Sequence, residues 1–206
     1  MRVLLLGATG LIGSAVAARL QAAGHESVGV ARKVDGPARR VPVARWIALD
    51  LRDIRAPEDW LPHLAGIDAV VNCAGTLQDN ARDSTARVHA DAPAALWAAC
   101  EQAGVLRVVQ MSAMGVDRPA ATAFMRTKQD GDAALAASGL DWVILRPSVV
   151  LGRQATSPER SSIAMADRRS AMRRAATWHA EWPDLKAKTP PNHQVGGVFN
   201  GGRGKD

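Results

Sequence analysis

The 206 residues include no tyrosine, two phenylalanines and two cysteines. No proton transfer through a phenol is therefore available anywhere in the chain. Cys73 and Cys100 have neither metal-ligand spacing nor the number needed for a disulfide framework, and they read as small buried apolar side chains. His63, His179 and His193 also lack ligand spacing, so no metal site is expected. No apolar run approaches the roughly 20 residues of a membrane helix. Residues 3–6 are too few, and too soon followed by glycine, for the apolar region of a signal peptide. A cytoplasmic protein without a membrane span is expected.

With 47% hydrophobic and 22% charged residues, the chain has the composition of a globular domain. Its formal charge of +6 raises the question of nucleic acid, but the excess is uneven. Residues 1–151 hold 16 lysines and arginines against 15 aspartates and glutamates, whereas residues 152–206 hold 10 against 5. In the latter part "RRSAMRRAATWHAEW" interleaves basic pairs with two tryptophans, a pattern that suits an acidic membrane or nucleic acid. A basic tail with too little apolar surface to form a core is the simpler account, and no nucleic-acid partner is expected.

Up to about residue 150, short apolar runs alternate with longer amphipathic ones. Residues 3–6, 27–30, 46–49, 69–72, 107–111 and 142–145 read as strands. Residues 11–23, 57–64, 85–103 and 122–137 read as helices, with Gly24, Gly104 and Gly139 as stop signals. The stretch "KVDGPARR" between the second and third strands reads as loop or a short irregular helix. Such alternation implies right-handed crossovers and a parallel sheet covered on both faces, a doubly wound α/β domain over residues 1–152. Residues 153–206 read as a poorly structured tail with one helix at 163–182 and no further strand before "VGGVF".

The first strand runs into Gly7-x-x-Gly10-x-x-Gly13 at the start of a helix, the context in which a glycine loop binds a dinucleotide. Gly7 would permit the turn, Gly10 the approach of a pyrophosphate, and Gly13 close helix–strand packing. The N–H groups of Leu11 and Ile12 would face the phosphates with the helix dipole behind them, and Thr9 would add a hydroxyl. The alternative is a merely structural strand-to-helix turn. After the second strand there is no acidic residue to accept from a ribose 2′-hydroxyl; Arg32 and Lys33 stand there instead. Their charge favours NADP over NAD, unless they are simply a solvated basic pair.

The ordered segments "GATGLIG", "ALDLRD", "VVNCAG", "VVQMSAMG", "FMRTK" and "SGLDWVILRPSVVLG" resemble the atypical and extended short-chain dehydrogenase/reductases. The likeness is greatest to the NAD(P)-binding Rossmann group that includes NmrA-like, epimerase/dehydratase and complex I accessory-subunit types. The resemblance implies that Asp50 and Leu51 border the adenine, Asp50 accepting from its exocyclic amine. It implies that Cys73, Ala74 and Gly75 line the ribose and nicotinamide, that Ser112 faces the nicotinamide and a substrate carbonyl, and that Pro147 packs near the carboxamide. Helices 85–103 and 122–137 form a dimer bundle in many relatives, which allows a homo-oligomer.

Active relatives carry Tyr-x-x-x-Lys on the helix after the fifth strand, the lysine holding the ribose and lowering the tyrosine pKa. Here that segment is Phe124-Met125-Arg126-Thr127-Lys128. Lys128 retains the cofactor-holding position, or is an exposed helix lysine; its proton-carrying partner is gone. His89 stands near a position where many relatives have asparagine. Asp130 and Asp132 form a carboxylate pair but read as solvated helix residues. Ser112 and Lys128 remain the catalytic candidates, for hydride exchange with a small-molecule, quinone or flavin acceptor. A sensor or assembly subunit that holds the dinucleotide without turnover is the alternative. Relatives continue into a substrate lobe that nothing after Arg153 resembles, so a truncated or frame-altered tail is expected.

Overall fold

The computed structural model describes residues 1–81, 83–118, 122–148, 150 and 193–195. Within them lie β1 (Arg2–Leu6), α1 (Leu11–Ala22), β2 (Glu26–Ala31), β3 (Arg45–Ala48), α2 (Leu61–Leu64), β4 (Ala69–Asn72), α3 (Ala92–Ala103), β5 (Arg107–Met111), α4 (Ala123–Ala136), β6 (Asp141–Leu145) and β7 (His193–Val195). The strands form one parallel sheet in the order β3-β2-β1-β4-β5-β6-β7. The doubly wound Rossmann-like α/β fold read from the sequence is the fold observed.

Alternation along β1 divides the core. Leu4 and Leu6 point to one face, where they join Val28, Val30, Val70, Val108 and Ile144 with Trp60, Leu96, Trp97 and Leu135. Leu5 points to the other, against Ala17 of α1 and Val41, as the two-residue period of a strand requires. Because β2 and β3 lie on one side of β1 and β4 to β7 on the other, the chain direction reverses between β1 and β4. That reversal opens a crevice at the carboxyl ends of these strands, the place where open α/β sheets bind ligands.

Two expectations change in detail, and a third, the short irregular helix between β2 and β3, is met. Residues 57–64 form a 3₁₀ turn, Pro57–Asp59, followed by the single helical turn α2; Pro62 has no N–H and is tolerated only in a first turn. The helix expected from residue 85 starts there and passes through a π-helical turn, Arg87–Asp91, into α3. "KVDGPARR" contains the 3₁₀ turn Gly36–Arg40. The tail expectations, including a helix at 163–182, lie outside the described residues, with one correction: His193–Val195 extends the sheet beyond β6. No apolar alternation marks "HQV", and the pairing is made through backbone.

The π-helical turn has a sequence cause and a packing consequence. Pro93 cannot supply an N–H to the carbonyl of His89, four residues back. Gly131 of α4 comes so close to that same carbonyl oxygen that a Cβ on it would overlap the oxygen. Glycine costs a helix interior roughly 1 kcal/mol relative to alanine, so its place here is a matter of space. Gly131→Ala is expected to destabilise the fold by roughly 2–3 kcal/mol through overpacking, measured by urea unfolding, whereas alanine at a roomy helix glycine would stabilise.

Candidate functional site

The turn after β1 has backbone on every side. Gly7 has φ +68°, and a Cβ there would meet Ala74 N and the Cys73 carbonyl at 2.8 Å. A Cβ on Gly13 would overlap the Gly7 carbonyl oxygen. Gly10 differs: its φ is −75° as the N-cap of α1, its N–H donates to Gly7 O at 2.9 Å, and a Cβ would only graze that oxygen at 3.2 Å. Gly7 and Gly13 are thus required by packing, and Gly10 leaves an open approach to the helix start. Helix geometry leaves the first-turn amides of Leu11, Ile12 and Gly13 without intrahelical acceptors.

Beside this turn lies a cleft of about 310 Å³. Of the residues singled out in the sequence, Gly7, Thr9, Gly10, Arg32, Asp50, Leu51, Cys73, Ala74 and Gly75 line it. Arg52, Thr76, Asp83 and Val88, which the sequence did not suggest, line it too. Lys33 is exposed outside that lining, and Leu11, Ile12 and Gly13 stand behind it in α1. Arg52 grips Asp50 with a fork, Nη2 donating to Oδ2 at 2.8 Å and Nε to Oδ1 at 3.2 Å, and this holds the Asp50 carboxyl below its ordinary range. Arg32 Nη1 donates to Asp83 Oδ1 at 2.7 Å.

A second polar group is buried against the cleft wall. Lys128 is 4% exposed, and its Nζ donates to the Met111 carbonyl at 2.8 Å. It is not the exposed helix lysine that its sequence also allowed. Burial lowers its pKa to about 8, with Asp132 and Cys73 acting in the opposite sense. A Cβ on Gly75 would stand 3.7 Å from Lys128 Nζ and 3.6 Å from His89 Nε2, so this glycine brings both side chains up to the cleft. Burial also pushes the Cys73 thiol up to about 12, which keeps it protonated and poorly nucleophilic.

His89 is buried, and its hydrogen bonds define its tautomer. Nε2 accepts from the Thr76 N–H at 3.1 Å, so the ring proton is on Nδ1 and is donated to Thr127 Oγ1 at 2.9 Å; Thr127 in turn donates to the Ala123 carbonyl. Phe124 packs its ring edge-on to His89 with centroids 5.3 Å apart. Burial first, then the Lys128 charge, lowers the His89 pKa to about 3, leaving it neutral near pH 7.

Ser112 follows β5 and donates from Oγ to Asp132 Oδ2 at 2.7 Å; Arg146 Nη2 and Nε reach the same oxygen at 3.1 and 3.2 Å. Asp132 is 3% exposed, which corrects the solvated reading of the Asp130 and Asp132 pair; Asp130 alone is exposed. Burial raises the Asp132 carboxyl against the pull of Ser112 and Arg146, and its Oδ1 has no hydrogen-bond partner among the described residues. Neither Ser112 nor Pro147 lines the cleft; Pro147 O accepts from Met114 N–H at 2.9 Å. Lys128 and Asp132 share one helical face at a spacing of four, a signal for their meeting, whereas nothing in the spacing announces Arg146 or Asp83.

A family model described as NAD(P)H-binding matches residues 7–176. The chain belongs to that family. It is 31% identical over 153 residues to an uncharacterized protein of Mycobacterium tuberculosis, a match covering 74% of this chain and 15% of that one. The chain thus spans a small part of the length of these curated relatives. Among solved structures it resembles a Bacillus halodurans protein assigned as a NAD-dependent epimerase/dehydratase, with TM-score 0.65, 27% identity and 79% of each chain covered. It also resembles the Bordetella bronchiseptica enzyme WbmG in complex with NAD, with TM-score 0.62, 25% identity, and 74% of this chain and 54% of that one covered. The NAD(P)-binding Rossmann relationship to the epimerase/dehydratase superfamily read from the motifs is the one found. Among the described residues no helix is long and apolar enough to cross a membrane.

The buried neutral His89 makes stability depend on pH. Between about 3 and its ordinary 6.5, the unfolded chain binds a proton that the folded chain refuses, so stability falls as pH falls through that range. Unfolding free energy is expected to decrease from pH 7 to pH 5, and His89→Asn is expected to show a shallower decrease in the same denaturant titrations.

Proposed function

We propose that the cleft binds a nicotinamide dinucleotide, NADP in preference to NAD, with its pyrophosphate over the start of α1. The observation that carries this reading is the open side of Gly10 between two glycines that packing requires. The residues present fit such a group. The amides of Leu11 and Ile12, with Thr9, would meet the phosphates. Asp50 and Leu51 would border the adenine, and Arg32 with Lys33 would meet a 2′-phosphate. Cys73, Ala74 and Gly75 would flank the ribose and nicotinamide, with Lys128 towards the ribose and Pro147 towards the carboxamide. NAD in the solved relative WbmG supports the dinucleotide class, while the basic pair after β2 supports NADP.

When bound, the nicotinamide supplies a hydride equivalent. The chain's own acid–base groups are few. Phe124 has no proton to give, both ring nitrogens of His89 are engaged, and the Ser112 hydroxyl is committed to Asp132. For Ser112 to polarise a carbonyl, its hydroxyl must turn away from Asp132. Acceptors that take their protons from water, quinones or flavins, suit this oxidoreductase better than alcohols or sugars. The same three observations favour a second reading, a dinucleotide-binding sensor or assembly subunit without turnover.

Calorimetric titration with NADPH and NADH tests the site. Aspartate is a favoured N-cap, so Gly10→Asp keeps the helix while setting a carboxylate where the pyrophosphate would lie; it is expected to abolish binding of both dinucleotides. Arg32→Glu is expected to weaken NADPH and spare NADH. Steady oxidation of NADPH with quinone or flavin supports the oxidoreductase; binding without oxidation supports the sensor. No binding by the folded wild-type protein would sink the cofactor reading.

A further inference from the structure

The ion pair between Arg32 and Asp83 joins two walls of the cleft that are far apart in sequence. Arg32 follows β2, and Asp83 lies in the connection from β4 to the π-helical turn; both line the cleft. The carboxylate is braced within its own turn. Asn80 Nδ2 donates to Asp83 Oδ2 at 3.2 Å, the Asp83 N–H donates to Asn80 Oδ1 at 3.0 Å, and the Asn80 N–H donates to the Asp83 carbonyl at 2.9 Å. Thr85 Oγ1 is tied to Asp79 Oδ1 at 2.9 Å in the same connection. The turn therefore presents Asp83 Oδ1 to Arg32 at 2.7 Å. The side chain of Asp83 is 25% exposed against 54% for Arg32, so the carboxylate is the fixed partner and the guanidinium the movable one.

A phosphate and a carboxylate compete for one guanidinium, and each repels the other when both approach it. Asp50, the other carboxylate on this wall, is already neutralised by the fork of Arg52. We propose that Asp83 is a specificity-determining residue: as a resident counter-ion of Arg32, it must be displaced by the 2′-phosphate of NADP and is left in place by NAD. The inference rests on the cofactor reading above. It makes the preference for NADP a balance, in which Arg32 attracts the phosphate and Asp83 sets how much of that attraction is realised. Displacement is feasible because an exposed ion pair contributes only about 0–1 kcal/mol, at most roughly a fivefold factor.

The test uses the full chain and four probes: NADPH, NADH, adenosine 2′,5′-bisphosphate and 5′-AMP. Asp83→Asn keeps the size of the side chain and an oxygen for Asn80 while removing the charge. It is expected to tighten NADPH and adenosine 2′,5′-bisphosphate by about three- to fivefold, the most that an ion pair of this exposure withholds. NADH and 5′-AMP are expected to change by less than about twofold on the same grounds, since they bring no charge to Arg32. Asp83→Ser serves as a second variant of the same sign should the first fail to fold. Equal changes for all four probes, or unchanged or weaker binding of the two 2′-phosphate probes, would overturn the role of Asp83 while leaving the cofactor site standing. Wild-type protein that binds neither dinucleotide would overturn both.

Discussion

Backbone packed on backbone at Gly7 is the contact on which the cleft depends. The end of β1, the start of α1 and the segment after β4 meet there with no side chain between them, Gly7 facing Cys73 and Ala74, and Gly13 facing Gly7 itself. The reversal of strand order between β1 and β4 creates a crevice, but its depth depends on how closely these three segments approach. A side chain at either glycine would push α1 away from the sheet and carry its first-turn amides out of line with the cleft. The same contact holds Ala74 and Gly75 against the opening, and Gly75 in turn admits Lys128 and His89 to the wall.

The second close approach, Gly131 against the His89 carbonyl, governs the deeper polar layer. It sets α4 against the π-helical turn, and from α4 come Phe124, Thr127, Lys128 and Asp132. Thr127 and Phe124 therefore reach His89, and Asp132 reaches Ser112 and Arg146, as consequences of one backbone contact. Burying Lys128 and Asp132 is unfavourable for each alone, since desolvation lowers the first pKa and raises the second. Their opposite charges on one helix face partly offset that cost, a common condition for retaining buried charge.

The parts of this arrangement that were legible in the sequence are the local ones. β4 and β5 carry short apolar, β-branched runs, and their limits match the expected ones at residues 69–72 and 107–111. The glycine turn was legible because three residues and a following helix define it. Arg32–Asp83 and Ser112–Asp132–Arg146 were not, because each joins segments whose proximity exists only after the sheet has assembled. Asp132 reads as solvated for the same reason: its helix face is polar in sequence and is covered by Ser112 at the end of β5 and by Arg146. β7 was missed because backbone pairing on an existing edge asks little of its side chains.

The four charged side chains that line the cleft are paired before any ligand arrives, Asp50 with Arg52 and Arg32 with Asp83. A dinucleotide must therefore gain affinity chiefly from groups without such internal competition. The first-turn amides of α1 are of this kind, because helix geometry denies them acceptors and the dipole adds to their field. On the proposed cofactor reading, the adenosine end would act as a selector, where ligand charge is weighed against charge already present, and the helix start as the anchor. The absence of a phenol would separate binding from proton transfer, since the glycine turn and the charged cleft wall are built without one. Behind the cleft wall the polar groups are a neutral histidine, a buried lysine and a serine committed to a carboxylate. On that reading, turnover would be governed by the acceptor's own proton demand, and the grip on the cofactor by the geometry at Gly7 and Gly10.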